Sequence, residues 1–527
     1  MRYNVFRINI LNLYLMEAIC MTTLEELYKI RENLYAGVVE KANGERKVRL
    51  YMKKEGKHIT VTEFFIDEIQ TKIFEIQRFG KVYNPLVIRD IIKDIQTKHD
   101  TLPVIPSYEN MKGFIFDEDG NATAYVGSSV IDTEGEEIIA DVKDTSQKRG
   151  TLVEWVNRVK KIMANNKIIQ LAVLVSLASI VVGLLKKTPI IMGLIGKSRT
   201  GKTTLTSLCT SVYSSTTDAN INLTFSSTDN YMVEKIADAG NALIAVDDAS
   251  LNARDRNFMD TIYLLFSGTS IGRIIKGFAN VVKHWYLNIV ITAEKSILLN
   301  GSKNKKFDAK LMGIVPRLLE IRLCQTSIFS DASQANEVQQ MCKEQYGTAG
   351  LGLAKFILKN ETVATVQKKY EEELTEIRKH IPNEPILQAT AENIAIIAVT
   401  AKLTEQALGL IFDIKEIKEF MMSIYQSNLN EFKEYSNSNS IVNKIYPELI
   451  QLGNDEYKEY IRKNNINIPV NEFNSFVESK GYKPSEVKEV LSEDGMLIQQ
   501  EGYTYTISHQ GKALKVICIK NTLVEVE

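Results

Sequence analysis

The eight residues from Gly196 to Thr203, GKSRTGKT, have the spacing G-x-x-x-x-G-K-[ST] of a phosphate-binding loop. The two glycines allow backbone N–H groups to point at phosphate oxygens, and a helix that begins here adds the positive end of its dipole. We expect Lys202 to contact the β- and γ-phosphates of ATP and Thr203 to bind Mg²⁺. The predicted nucleotide-binding residues are Gly196, Ser198, Arg199, Thr200, Gly201, Lys202, Thr203 and Thr204.

Two carboxylates end the segment ALIAVDD, from Ala242 to Asp248, directly after its apolar run. We predict that Asp247 holds the Mg²⁺ shell through water and that Asp248 polarises the attacking water. The usual second acid at this point is Glu, so the shorter Asp248 is expected to reach the water less well and to leave hydrolysis slow. For one of the two acids, the alternative is a cap on the next helix.

Further polar residues lie at the ends of two later apolar runs. The segment YLNIVITAE ends with Thr292 and Glu294, where we expect a polar sensor of the γ-phosphate. The segment GIVPRLLEIRL places Arg317 just before a strand. Arg317 either forms a surface ion pair or acts as an arginine finger on the nucleotide of a neighbouring subunit, which would require an oligomer, most simply a ring.

These residues must be brought together by strands and helices. The segments PIIMGLI (Pro189–Ile195) and NLTFSS (Asn222–Ser227) have strand length, as do the three apolar runs above. Helical patterns separate them, so the sequence predicts a doubly wound α/β core. A strand between the phosphate-binding loop and the acids is typical of the ATPase branch of P-loop proteins rather than of kinases or GTPases.

The order of these motifs resembles a family of AAA+ helicases. The series GKSRTGKT, LIAVDDAS, IYLLFSGTSIGRIIKG, WYLNIVITAEKS, GIVPRLLEI and YGTAGLGLAKF is similar to minichromosome-maintenance-like, self-loading replicative helicases of bacterial mobile elements, such as staphylococcal cassettes and pathogenicity islands. The resemblance covers about residues 114–410. It implies a homo-hexameric DNA helicase that uses ATP and Mg²⁺ in replication initiation, with element-encoded replication proteins as further partners. Asp248 departs from the family pattern and puts the rate of hydrolysis in doubt.

The resemblance also implies a hairpin in the central channel, within SGTSIGRIIKGFANVVKHW. Its Arg273, Lys276 and Lys283 would touch the DNA backbone. From Arg273 to Arg317 there are nine basic and two acidic residues, a difference of +7, whereas the whole chain has 64 basic and 65 acidic residues. A channel of this charge would bind phosphates without base specificity and lose affinity with salt. The alternative is a solvated basic face.

The flanking sequence predicts additional domains. Residues 1–21 are expected to be a mis-called start or a disordered extension. The other predicted parts are a mixed accessory domain (22–105), a β-rich connector (106–165), the AAA+ core (166–330), a helical lid (331–433), a linker (434–465) and a winged helix (466–527). In the winged helix, Lys480, Lys483 and Lys488 either meet DNA or belong to a surface with a structural or protein-binding role.

Composition narrows the cellular setting. The five cysteines contain no CxxC, which argues against a zinc site and a disulfide framework and favours the reducing cytoplasm. The uncharged run Ile168–Leu185 has 18 residues, at the lower limit for a membrane span. Pro189 and a core strand follow closely, so we predict a buried helix and no membrane partner. Three functions compete with the helicase: a DNA-stimulated ATPase without unwinding, an AAA+ protein remodeller and a membrane-tethered ATPase.

Overall fold

The computed structural model divides between Gln426 and Ser427 into two compact units, which are described separately. The residues that the structure describes are 26–40, 44–54, 57–79, 83–108, 111–142, 146–164, 166–247, 258–270, 274–275, 278–279, 282–298, 314–323, 328–439, 441–463, 465–493, 495–500 and 502–521.

The first unit begins with a mainly antiparallel sheet covered by a helix. Its strands are β1 (Tyr28–Arg31), β2 (Leu34–Glu40), β3 (Arg46–Lys54), β4 (Lys57–Phe64) and β5 (Val104–Ile105), with β5 parallel to β2. A short helix α1 (Ile69–Lys72) precedes the covering helix α2 (Pro85–Lys98). The Asn84 side chain accepts a hydrogen bond from Val87 N, and Pro85 fits the first helical position. The isoleucines of α2 then recur at helical spacing and pack on the sheet.

A second antiparallel sheet leads towards the predicted ATPase core. It contains β6 (Gly113–Phe116), β7 (Ala122–Val126), β8 (Val130–Asp132) and β9 (Glu137–Ile138), in that order. Asp117 closes the first turn by accepting a hydrogen bond from Asn121 N at 2.7 Å. Helix α3 (Leu152–Met163) follows, and the Thr151 hydroxyl accepts from Glu154 N at its start.

The first unit also contains a five-stranded parallel sheet. Its strands are β10 (Ile191–Ile195), β11 (Asn222–Thr224), β12 (Ile244–Asp247), β15 (Ile289–Ala293) and β16 (Leu318–Arg322), and their order is β11-β12-β15-β10-β16. A separate antiparallel pair precedes β15, formed by β13 (Ile274–Ile275) and β14 (Phe278–Ala279). All residues of β10 and β15 are buried, as continuous apolar runs in a covered parallel sheet require. The predicted α/β class is confirmed.

Among the described residues, four helices precede or separate the strands of the parallel sheet along the chain. They are α4 (Lys167–Leu185), α5 (Lys202–Ser211), α6 (Asp229–Asp238) and α7 (Phe258–Ser267). Five more helices follow β16 and are α8 (Ala332–Glu344), α9 (Ala349–Asn360), α10 (Val363–His380), α11 (Pro385–Leu408) and α12 (Ile414–Asn439). Helix α12 continues across the boundary between the two units.

Two of the described helices, α4 and α11, are long and apolar enough to cross a membrane. In the fold, 83% and 72% of their most apolar windows are buried. The polar groups of α4 also have protein partners. Ser176 Oγ donates to Cys209 O at 2.7 Å, and Ser179 Oγ accepts from Asn288 N at 2.8 Å. The prediction of a buried helix over Ile168–Leu185 is therefore confirmed.

In its described residues, the second unit combines the end of α12 and three further helices with a four-stranded antiparallel sheet. Its elements in chain order are α13 (Ile441–Glu456), β17 (Ile466–Pro469), α14 (Val470–Ser479), α15 (Pro484–Glu493), β18 (Leu497–Ile498), β19 (Tyr505–His509) and β20 (Lys512–Ile519). Gln510 and Gly511, between β19 and β20, both have positive φ, as a two-residue type I′ turn requires.

The segment 434–465, predicted to be a linker, differs from that expectation. Helix α12 runs through its first residues, and α13 occupies much of the rest. Leu449 of α13 is fully buried, in one core with Phe473 and Ile517. The run of Ser and Asn does not stop the helix, because each residue costs less than about 0.7 kcal/mol relative to Ala.

Candidate nucleotide-binding site

The phosphate-binding loop leaves β10 at the carboxyl edge of the parallel sheet. The loop is held by both neighbouring strands, since Gly196 N donates to Ala293 O at 3.0 Å and Leu323 N donates to Ile195 O at 2.6 Å. Parallel strands bring their following residues to the same edge. A cavity of about 350 Å³ results, lined by Ser198, Arg199, Thr200, Gly201, Lys202, Thr203, Thr204, Asp247, Thr292, Ala293, Glu294 and Gln339.

The two glycines of the motif are required by close packing. Gly201 has φ of +89°, and a Cβ there would lie 3.2 Å from the Phe329 ring. A Cβ on Gly196 would lie 2.7 Å from Leu323 O, closer than real contacts allow. Arg199 also has positive φ, at 68°. The loop therefore makes the tight turn that a phosphate cradle needs, and a side chain at either glycine would displace its neighbours.

Lys202 and Thr203 begin helix α5 at the floor of the cavity. The Lys202 ammonium donates to Gly196 O and Lys197 O, so the loop carbonyls hold it beside the cavity. The next residue, Thr204, is buried and accepts a hydrogen bond from Gln339 Nε2 at 2.9 Å. These groups offer one cation, two hydroxyls and a helix N-terminus, which is the chemistry of a site for a phosphate chain.

Strand β12 delivers Asp247 to the cavity, and β15 delivers Thr292. Thr292 Oγ1 donates a hydrogen bond to Asp247 Oδ1, which fixes one oxygen of that carboxylate. Among the described residues, no group of three His, Cys, Asp or Glu side chains could hold a metal ion alone. Mg²⁺ at nucleotide sites usually takes one or two protein ligands, with phosphates and waters as the rest. Thr203 and Asp247 therefore fit an ion that arrives with a nucleotide.

The predicted catalytic acids have different outcomes. Asp248 lies outside the described residues. Glu294, predicted as part of a γ-phosphate sensor, is exposed and lines the cavity beside Thr292. Glu294 is thus a second carboxylate with access to a bound nucleotide.

Arg317 lies at the amino ends of the parallel strands, whereas the loop lies at their carboxyl ends. It immediately precedes β16, whose first residue, Leu318, pairs with Ile191 at the start of β10. The loop follows the other end of β10, and five strand residues span about 16 Å. Asn393 Nδ2 of α11 donates to Pro316 O at 3.0 Å and holds this turn in place. The structure does not bring Arg317 to the cavity of its own chain.

The segment expected to form a channel hairpin contains an antiparallel strand pair. Ile275 of β13 pairs with Phe278 of β14. Closer to the sheet, Ser270 N donates to Lys283 O at 2.8 Å, so the two arms also pair there. Two of the predicted DNA contacts, Arg273 and Lys276, lie outside the described residues.

The third predicted DNA contact, Lys283, has acidic neighbours on α6. Its Nζ lies 3.6 Å from Glu234 Oε1 and 3.6 Å from Asp238 Oδ1. All three side chains are largely solvent-exposed, and ion pairs of this kind contribute about 1 kcal/mol or less. Lys283 is therefore partly neutralised, and a phosphate group would have to compete with weakly held carboxylates.

Sequence reasoning missed Gln339 and Glu320. Gln339 belongs to no motif and reaches the cavity from α8. Glu320, in the middle of β16, accepts hydrogen bonds from Ile297 N at 2.8 Å and Leu298 N at 3.4 Å, and burial raises its pKa. Its contacts anchor the backbone that follows Glu294. For Glu320, an acid within an apolar strand is a sequence signal that could have indicated a buried polar contact. The sequence around Gln339 contains no signal that indicates its place at the cavity.

In the second unit, two of the three lysines expected to meet DNA have protein partners. Lys480 Nζ lies 2.6 Å from Glu448 Oε2. Lys488 Nζ donates to Asn474 Oδ1 at 2.7 Å, and burial lowers its pKa. These contacts favour the structural interpretation for Lys480 and Lys488.

Comparisons with known proteins show what the chain is similar to. No curated protein sequence matches it. Residues 117–276 match a domain of unknown function, DUF927. The structure described as "SCCmec type IV Cch - active helicase" is 17% identical, with a TM-score of 0.61 over 95% of this chain and 98% of that chain. The A form apo structure of the NrS-1 C-terminal region is 12% identical, with a TM-score of 0.34 over 93% of this chain and 96% of that chain. The chain has a mixed α/β fold, with a parallel sheet, similar to that of a helicase.

Proposed function

We propose that this protein is an ATP-dependent DNA helicase or translocase of the AAA+ P-loop class, which acts as a homo-hexameric ring in replication initiation of a mobile element. One observation carries the proposal: the phosphate-binding loop, Asp247, Thr292 and Glu294 meet at one cavity on the carboxyl edge of a parallel sheet. The fold shared with a protein described as an active helicase supports it. So does strand β15, which lies between β10 and β12 in the sheet and so separates the strand of the loop from that of Asp247, as in the ATPase branch of P-loop proteins.

Each residue of the cavity has a role in this proposal. Lys202 leaves the loop carbonyls and binds the β- and γ-phosphates, while Thr203 and Asp247 hold Mg²⁺, which neutralises phosphate charge when bound. Thr292 orients Asp247 through their hydrogen bond. Asp248 polarises the attacking water, and Glu294 is the second carboxylate placed to do so.

Arg317 is assigned to the cavity of a neighbouring subunit. Because it lies at the end of the sheet away from its own loop, we place its action on the nucleotide of another copy of the chain. A ring supplies such a neighbour at every site. Arginine fingers stabilise transition-state charge and raise the rate by about 10³–10⁵ in GTPases.

The hairpin of β13 and β14 is proposed to contact single-stranded DNA through Arg273 and Lys276. The +7 charge from Arg273 to Arg317, nine basic minus two acidic residues, favours a phosphate backbone as the ligand. Lys283 serves this hairpin either as a third phosphate contact or as its anchor on α6. Helices α8–α12 are proposed to form the nucleotide lid, and the second unit a winged helix.

An AAA+ protein remodeller is the second candidate, since Phe278 lies in the hairpin directly after Gly277. Peptide-gripping loops present an aromatic residue beside a small one. A DNA-stimulated ATPase without unwinding is the other alternative within the same fold.

Steady-state ATP hydrolysis with and without single-stranded DNA tests the proposal. We expect DNA to stimulate hydrolysis severalfold in the wild type, and Lys202→Ala to lower the rate about 100-fold or more, because a preorganised cation is lost. Lys197→Ala is the matched control, since its exposed side chain belongs to the same loop and does not line the cavity. Hydrolysis that ignores DNA at every salt concentration would instead favour protein remodelling.

A further inference from the structure

One residue from outside the loop and the sheet lines the nucleotide cavity. Gln339 lies in the second half of α8 and is half-buried. Its side-chain amide donates to Thr204 Oγ1 at 2.9 Å, across 135 residues of sequence. The next glutamine, Gln340, is exposed and donates instead to Glu344 of its own helix at 2.7 Å. Two adjacent residues of the same type therefore face different environments.

The hydrogen bond from Gln339 constrains the Thr204 hydroxyl. A hydroxyl has one proton to donate and two lone pairs that accept. Because Thr204 Oγ1 accepts from Gln339, its own proton remains available, and in the described part of the chain no protein group accepts it. Thr204 as a whole residue is only 4% exposed, and it lies one residue beyond Thr203 at the helix N-terminus. A bound phosphate chain is the acceptor that this geometry favours.

Helix α8 is held so that Gln339 stays at this position. Glu344 near its end forms an ion pair with Arg158 of α3, at 3.0 Å. Asp331 caps its start by accepting from Gln334 N at 2.8 Å. The ion pair joins α8 to α3, and the cap stabilises the start of the helix, so that the Gln339 amide is held beside Thr204.

We infer that Gln339 is a positioning residue of the nucleotide site: it orients the Thr204 hydroxyl towards the α- and β-phosphates of a nucleoside triphosphate and thereby couples α8 to nucleotide binding. This inference rests on the proposed nucleotide function. Gln339 acts through Thr204 and need not touch the phosphates itself. The consequence is that the two side chains contribute to nucleotide affinity as a pair.

A double-mutant cycle tests this coupling. Isothermal titration calorimetry would measure the Kd of the full chain for AMP-PNP with Mg²⁺. We expect Gln339→Met and Thr204→Val each to raise Kd about three- to tenfold, the usual effect of one lost hydrogen bond. The double variant should be no weaker than Thr204→Val alone, because Gln339 has nothing left to orient. Gln340→Met is the control and should bind like the wild type.

The possible failures are distinguishable. A wild-type Kd for Gln339→Met, or single effects that multiply in the double variant, would overturn the coupling while leaving the nucleotide site intact. A Gln340→Met variant as weak as Gln339→Met would show that the helix surface in general, rather than the Gln339 amide, affects binding, and would also overturn it. Absence of AMP-PNP binding by the wild type would refute the proposed function itself.

Discussion

At the scale of single residues, the rate of the proposed hydrolysis depends on which carboxylate activates water. Asp248 has the expected place in sequence, directly after Asp247, but its side chain is shorter than the usual Glu. Glu294 has the longer side chain and lines the cavity from the neighbouring strand. Both acids are therefore candidates for the activation of the attacking water.

Single isosteric substitutions separate the two acids. We expect Asp248→Asn to lower kcat for ATP hydrolysis at least about 100-fold with little change in KM, as loss of a general base does. Glu294→Gln should lower kcat less, since a sensor contributes orientation only. Steady-state kinetics at saturating Mg²⁺ would measure both. A larger loss of kcat in Glu294→Gln would reverse the two assignments.

The sequence predicted the residues that local patterns define. The phosphate-binding loop follows an apolar strand and Asp247 ends another, and parallel strands bring such residues to the same end of the sheet. Gln339 was not predicted, because its proposed role depends on one hydrogen bond between helices that are far apart in the sequence. No pattern of spacing encodes a contact of that kind.

At the scale of elements, the pairing of Lys283 with α6 determines how the hairpin is held. Glu234 and Asp238 lie one helical turn apart, so both reach the same ammonium. Lys283 is proposed either to contact DNA or to anchor the hairpin on α6. Removal of Glu234 or Asp238 is expected to change DNA affinity in opposite directions in these two cases. If Lys283 contacts DNA, loss of its acidic partner should raise the affinity for DNA. If Lys283 anchors the hairpin, the same loss should lower that affinity.

DNA affinity of charge variants distinguishes these cases. As a DNA contact, Lys283→Ala should weaken binding of single-stranded DNA and reduce the slope of log K against log salt by about 0.7. Glu234→Gln and Asp238→Asn should then strengthen binding. Fluorescence anisotropy across a salt series would measure all three. Weaker binding in all three variants would assign Lys283 to anchoring.

Elements were predicted unequally well. All five strands of the parallel sheet were expected. Four of them are apolar runs, as buried parallel strands usually are. The fifth, β11, is more polar and only its middle residue, Leu223, is buried. The β13–β14 pair was expected only through resemblance to a family, since two-residue strands carry no periodic signal. Helix α13 was missed because the polar run before it looked like a linker, although its apolar residues complete the core of the second unit.

At the scale of the whole molecule, the proposed arginine-finger role of Arg317 requires more than one chain. Its edge of the sheet faces away from the loop of the same chain. If the arginine acts between subunits, a mixture of two inactive variants should contain some complete sites. Each such site pairs an intact loop from one subunit with an intact Arg317 from the next.

Mixing Lys202→Ala with Arg317→Ala tests this arrangement. Each variant alone should lose at least about 100-fold in DNA-stimulated ATP hydrolysis. A one-to-one mixture should recover a measurable fraction of the wild-type rate, because random assembly creates complete sites. Circular dichroism of the separate variants controls for folding. No recovery from subunits that co-assemble would place Arg317 in a structural role.

Strand displacement tests the central claim most directly, because it separates a helicase from an ATPase that only responds to DNA. The substrate would be a forked duplex with one labelled strand, and the samples would be wild type, Lys197→Ala and Lys202→Ala with ATP and Mg²⁺. We predict ATP-dependent release of the labelled strand by the wild type and Lys197→Ala, and none by Lys202→Ala. DNA-stimulated hydrolysis without any strand release, on forks of either polarity, would contradict the helicase assignment.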